Sequence, residues 1–177
     1  MVHLLVSLLL LTLVHMSLGL TCCHAQSSAV SPGWERVSAC QIRFLIPQDL
    51  KNQHVKGIDS CFAEFRNGKM RLAIDAGSLG GGAFTKYEPM LDFVEEYAVL
   101  DGKKVQIITY KDGRTKSKRK FIAGLYVVLY EAKPKDTQMS AFLYMTVQGN
   151  SEKQIEIAKQ IFRSIHFDTY RPFLIEW

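Results

Sequence analysis

Apolar positions along the chain follow two periods. Between residues 39 and 149 they recur mostly every second residue, the spacing of a strand. Between 150 and 167 they recur at intervals of three and four, the spacing of a helix. In the helical stretch Ile155, Ala158, Ile161, Phe162 and Ile165 make one stripe, with Ile157 at its margin. Glu152, Lys153, Glu156, Lys159, Gln160 and Arg163 fall largely off it. Ser151 and Gln154 supply the S-x-x-Q pattern of a capping box, in which each side chain reaches the other residue's backbone amide; Asn150 is the competing N-cap. Glu152 and Arg163 complement the two ends of the helix dipole. A stripe of this width is read as the face that covers a sheet.

The strand-like stretch divides at turn residues. Residues 39–46 place Cys40, Ile42, Phe44 and Ile46 on one face, and Pro47 ends the run. Residues 58–65 and 69–76 flank Asn67-Gly68, a two-residue hairpin signal. With Arg66 opposite Lys69, Phe65 faces Met70, Ala63 faces Leu72 and Cys61 faces Ile74, while Glu64 pairs with Arg71 and Phe62 with Ala73 on the other side. Residues 77–82, GSLGGG, read as a flexible or tightly turning segment, and residues 87–90 are ambiguous. A second hairpin, 93–100 with 103–110, turns at Asp101-Gly102, with its register open.

Residues 121–131 and 138–148 read as long paired strands. The first is apolar on both faces, which places it centrally with cover on both sides. The expected class is α+β: a mainly antiparallel sheet covered by a C-terminal amphipathic helix. One helix covers one face. The tail 170–177, YRPFLIEW, and the chain around Trp34 are the candidates for the second layer. Without either, Tyr126, Tyr130, Phe142 and Tyr144 form an exposed apolar patch and a candidate binding site.

The N-terminal segment reads as an address. Residues 4–13 are apolar except for Ser7 and Thr12, and Cys23-His24-Ala25 offers a small-x-small cleavage pattern before Gln26. The segment begins without Lys or Arg, carrying only His3, and is short for a membrane span. A retained anchor is the alternative. A third reading makes Cys23 a lipid anchor, because Leu20 stands three residues before it, although Cys22 is a poor neighbour for that chemistry. The division is therefore a signal peptide 1–25, a linker 26–34, one domain 35–167 and an apolar tail 168–177, with a secreted or periplasmic destination. Cleavage would leave 152 residues, enough to bury about 70% of the unfolded surface. The net charge of +5 favours anionic surfaces mildly and does not argue for specific nucleic-acid binding. Of the four cysteines, Cys40 and Cys61 survive cleavage. In an exported chain they are a disulfide candidate, with two buried thiols as the alternative.

The densest charge feature is KDGRTKSKRK at 111–120: Lys111, Arg114, Lys116, Lys118, Arg119 and Lys120 against Asp112. It reads as a solvated hairpin loop or as a contact for an anionic partner. Catalytic patterns are missing. GSLGGG is not followed by Gly-Lys-Ser/Thr, and the sequence has no Gly-x-Ser-x-Gly, dinucleotide fingerprint or zinc spacing. His54 and His166 stand apart from other ligand-type residues. A thiol nucleophile would need Cys61 or Cys40 beside one of them. Asp59 and Asp75 lie opposite Ala76 and Ser60 and form no acid–base pair. No catalytic residue, metal or cofactor is assigned. The expected partner is an unknown protein or envelope component, with membrane contact only through the signal segment or Cys23.

RFLIPQDL, GIDSCFAEFRNGKM, LDGKKVQIITYKD and the closing AKQIFRSIHF, in that order behind an export signal, resemble the small exported bacterial proteins with a PsbP-like α/β/α sandwich. The likeness spans about residues 35–167, and the helix ending Ile-Phe-x-Ser-Ile-x-Phe is its most telling part. It implies a binding, assembly or accessory subunit rather than an enzyme. It carries no functional-residue motif onto this chain.

Overall fold

The structure, a computed structural model, describes residues 30–55, 57–78, 82–114, 116, 118–135 and 139–168. A large antiparallel sheet is built from β3 (Lys51–Asn52), β4 (Cys61–Arg66), β5 (Met70–Gly77), β6 (Met90–Leu100), β7 (Lys103–Asp112), β8 (Phe121–Tyr130) and β9 (Ala141–Gly149), in the spatial order β3-β4-β5-β9-β8-β7-β6. A small sheet, β1 (Trp34–Ala39), β2 (Ile42–Pro47) and β10 (His166–Phe167), runs in the order β1-β2-β10. The helix α1 (Glu152–Arg163) packs on β8, β9 and β2.

The amphipathic stripe drives this arrangement. Ile155, Ala158, Ile161 and Phe162 are buried in one cluster with Leu125, Leu143 and Met145 of the large sheet and Ile42, Phe44 and Ile46 of the small one. Helix and small sheet therefore cover the same face of the large sheet, here called the inner face. At the helix end, Ser164 Oγ donates to Ile161 O at 2.7 Å and accepts from Leu45 N at 2.9 Å, which joins α1 to β2. The expected capping box does not form. Ser151 is the N-cap, but its hydroxyl donates to Gln154 Oε1 at 2.6 Å and makes no bond to a backbone amide.

Two hairpins depart from the sequence reading. The run 39–46 is not one strand. It breaks at Cys40 and Gln41, whose φ values of 49° and 61° are those of a tight two-residue turn between β1 and β2. The turn at Asn67-Gly68 is longer than expected. Asn67 Oδ1 accepts from the amides of Lys69 and Met70, and Arg66 pairs with Arg71. Every pairing in β4–β5 is thereby displaced by two residues: Phe65 faces Leu72, Ala63 faces Ile74 and Cys61 faces Ala76, with Phe62 beside Asp75. A shift of two preserves the faces. Glu64 still meets Arg71 diagonally, Arg71 Nη2 to Glu64 Oε2 at 2.7 Å, and is also paired with Arg66. The turn at Asp101-Gly102, whose register the sequence leaves open, is a two-residue one, with φ of 46° and 79°. From there the pairing runs without a break to Val94 opposite Thr109, and a bulge between Leu91 and Val94, where Asp92 has φ 53°, shifts the register beyond it.

Cys40 and Cys61 are bonded, with their Cα atoms 5.4 Å apart. The bridge joins the β1–β2 turn to the start of β4 and so fastens the small sheet over the large one.

Candidate functional site

The second or outer face of the large sheet has its own cover. Tyr126, Phe142 and Tyr144 lie together there: Tyr126 stacks on Phe142 with centroids 5.9 Å apart and meets Tyr144 at 5.1 Å. The Phe84 ring stands edge-on to Tyr144 at 5.8 Å, and the Tyr144 hydroxyl donates to Gly82 O at 3.0 Å. The segment after GSLGGG, read as a flexible turn, is thus laid across this face. Trp34 is not its cover; it packs against the inner core. The tail 170–177 lies outside the described residues. Tyr130 leaves the group, because a register shift after Val128 pairs it with Ala141 and packs it against the inner core. Tyr126, Phe142 and Tyr144 remain half-buried.

Gln106 holds the covering segment. It is buried, and its amide grips both backbone groups of Phe84: Oε1 accepts from Phe84 N at 2.7 Å and Nε2 donates to Phe84 O at 2.8 Å. Its second amide hydrogen goes to Glu95 Oε1 at 2.7 Å. The oxygen and one amide hydrogen of a single side chain thus add a strand-like pair of bonds to a segment outside the sheet, and the other hydrogen ties the group to β6. The Tyr97 hydroxyl also donates to Glu95, and these two bonds hold the carboxyl below the usual glutamate range. Tyr110 is pushed far above the usual tyrosine range, first by burial and then by its bond to the Tyr87 hydroxyl. A lone glutamine in an alternating strand gave no sequence signal for this role.

The basic run occupies the β7–β8 connection. Three of its members are held. Lys111 Nζ lies 3.2 Å from Asp92 Oδ2 and 5.1 Å from the Phe121 ring centroid. Arg114 Nη2 donates to Glu88 O at 3.1 Å. Arg119 Nη2 donates to Asn67 O at 3.1 Å, which brings the β7–β8 loop against the β4–β5 turn. Lys116, Lys118 and Lys120 are exposed, as is Lys69 on the neighbouring turn, and none makes an ion pair with a described residue. Arg66 and Arg71 also lie at this end and share the single carboxylate of Glu64. Burial pushes the Glu64 carboxyl up, and the bonds to the two arginines together outweigh it and hold the carboxyl low. The charges of this end without an ion-pair partner among the described residues are therefore lysines, and the Glu64 cluster adds a net positive charge beside them.

Beside it, a cavity of about 240 Å³ opens between β7, β8 and α1. Lys111, Lys159, Asp92, Glu152 and Glu156 line it in part, so its charge is mixed and it selects neither sign. His54 lies in an exposed connection, and His166 Nδ1 is 3.8 Å from Asp101 Oδ1. No group of three His, Cys, Asp or Glu side chains suited to a metal ion occurs among the described residues. No helix among them is long and apolar enough to cross a membrane.

The chain matches no protein-family model and no curated protein sequence. Among solved structures it is similar to the solution structure of cyanobacterial PsbP (CyanoP) from Synechocystis sp. PCC 6803. The two are 12% identical with a TM-score of 0.46, over 80% of this chain and 95% of that one. At that similarity the account of the fold rests on the strand order and register described above: antiparallel sheets with one amphipathic helix packed on the larger.

Proposed function

We propose that the chain is an exported, non-catalytic binding or accessory protein of the cell envelope that meets an anionic partner at the basic end of its large sheet. The observation that carries this reading is the sorting of charge at that end. Lys111, Arg114 and Arg119 are spent on holding the loop, while Lys116, Lys118, Lys120 and Lys69 face solvent without a counter-charge among the described residues. Ammonium groups on flexible stems act as point charges and suit a diffuse anionic surface better than one planar, bidentate ligand. The Cys40–Cys61 bridge supports export, since disulfides persist in oxidising compartments. The apolar segment 4–13 supports it independently. Lipid anchoring at Cys23 would serve the same envelope role; Cys23 lies outside the described residues. A thiol or redox reading at Cys61 or Cys40 requires the bridge to open first, and no observation favours it.

Cross-linked capture of the tagged full chain from its native host, beside a Lys116→Gln/Lys118→Gln/Lys120→Gln variant, tests the proposal. One stoichiometric partner, lost in the variant, is expected. The same partner in both samples would remove the basic end from the contact. A capture empty in both would overturn the accessory reading.

A further inference from the structure

The two edges of the large sheet are finished differently. On one side β3 has two residues, a short edge of the kind that resists pairing. On the other, β6 has eleven, and no described strand lies on its outer side. The bulge at Asp92 interrupts only its beginning; from Val94 to Leu100 it pairs regularly with β7. Backbone bonds tell which of these residues face the edge. Asp112 N donates to Lys120 O on the β8 side, and Gly113 N donates to Pro89 O on the β6 side. Bonding direction alternates along a strand, so the odd-numbered residues of β7 bond β6. Their partners are Val94, Glu96, Ala98 and Leu100. The amides and carbonyls of Glu95, Tyr97 and Val99 therefore point out of the edge. Apolar side chains lie bare beside them on both faces of the sheet. Val94 is 55% exposed on the inner face, and Tyr97 and Val99 are 74% and 66% exposed on the outer face.

We infer that this edge joins two copies of the chain, β6 pairing antiparallel with β6 of the second copy about a two-fold axis at Tyr97. Such a contact is isologous, so β6 must complement itself. In this register it does. Tyr97 is the middle residue of the regular stretch, so all of Val94 to Leu100 enters the ladder. On the outer face Tyr97 meets Tyr97 of the second copy and Glu95 meets Val99; on the inner face Val94 meets Leu100 and Glu96 meets Ala98. The residues that bond outward thus face one another. An axis at Glu95 or Glu96 would set identical carboxylates directly opposite, and one at Ala98 would set Glu95 opposite Asp101. Only the register at Tyr97 keeps acid from facing acid; its one like-charge contact is diagonal, between the two copies' Glu96 side chains. Charge complementarity favours it as well. Glu95 of the second copy, opposite Val99, falls in the same outer row as Lys104, which pairs with Val99 on β7. Lys104 is exposed and makes no ion pair with a described residue. Two strand spacings, about 10 Å, separate the two residues' backbones. Lys69, Lys116, Lys118 and Lys120 lie outside this ladder, so the inference is independent of the proposed function.

Sedimentation equilibrium of the full chain over a concentration series tests this. One edge ladder is smaller than a standard interface, so dimers are expected to form at roughly 10–100 µM. Tyr97→Lys and Tyr97→Glu each put like charges at the axis, and each is expected to weaken association at least about tenfold. Mixing the two variants should recover most of that loss, because opposite charges then meet across the axis. Both variants should fold, since the Tyr97 side chain is largely exposed. Hydrogen exchange adds a residue-level reading: on dilution the amides of Glu95, Tyr97 and Val99 should lose protection, while those of Glu96 and Ala98, bonded to β7, keep theirs. A chain monomeric up to about 1 mM, beyond the weak-interface range, would overturn the inference. So would association that Tyr97→Lys leaves unchanged, or a mixture no tighter than either variant alone. Protection of Tyr97 that persists on dilution would assign the edge to a segment of the same chain and overturn it too.

Discussion

At Gly124 a Cβ would stand 2.8 Å from Cζ of Phe84 and 3.0 Å from Cγ1 of Ile108, so the absent side chain is the seat of the Phe84 ring. The ring cannot retreat cheaply, because Gln106 holds the backbone of the same residue from both sides. Gly124→Ala should therefore destabilise the protein by about 1–3 kcal/mol, the usual range for overpacking. Urea denaturation checks this. The cost should shrink sharply in a Phe84→Ala background if the ring is the obstacle; an unchanged cost would place the clash elsewhere. The other residue of this kind is Glu64, buried between Arg66 and Arg71, where one carboxylate is shared by two arginines at an end that is otherwise basic.

Among the elements, the β1–β2 hairpin is held by chemistry rather than by turn preference. Cys40 and Gln41 both adopt left-handed φ values that asparagine and glycine take readily. Packing against β4 through the disulfide fixes the turn instead. Replacing both cysteines by alanine should cost about 3 kcal/mol, the chain-entropy expectation for a loop closed across 21 residues. Denaturation of the oxidised wild type beside the double variant measures it, and equal midpoints would contradict the structural role. The same turn shows what was legible in the sequence. A Cys-Gln pair carries no hairpin signal, so residues 39–46 read as one strand, although Ile42, Phe44 and Ile46 were rightly placed inward. Asp101-Gly102 reads correctly because both residues accept the required backbone. Asn67-Gly68 misleads because the Asn67 side chain satisfies the next amides itself and lengthens the loop. The helix and its buried stripe are legible since period and burial agree. The cover of the outer face is not, because it depends on a glutamine and a phenylalanine 22 residues apart.

The whole molecule has an inner face closed by helix and small sheet, an outer face partly closed by the Phe84 segment, and a charged end where two turns meet. The basic run was legible as a run. Its division into anchoring and free charges was not, since Asn67 and Glu88 are distant in sequence from the residues they hold. Binding by exposed lysines carries a physical signature. At about 0.1 M salt, charges are screened beyond roughly 10 Å, so the contact weakens as salt rises. The most direct measurement is the fraction of chain retained by its own host's isolated envelope material across a salt series, for the wild type and the Lys116→Gln/Lys118→Gln/Lys120→Gln variant. The account predicts strong retention of the wild type at low salt, falling steadily with added salt, and a variant that binds weakly with little salt response. Equal retention of the two chains at every salt concentration would contradict it.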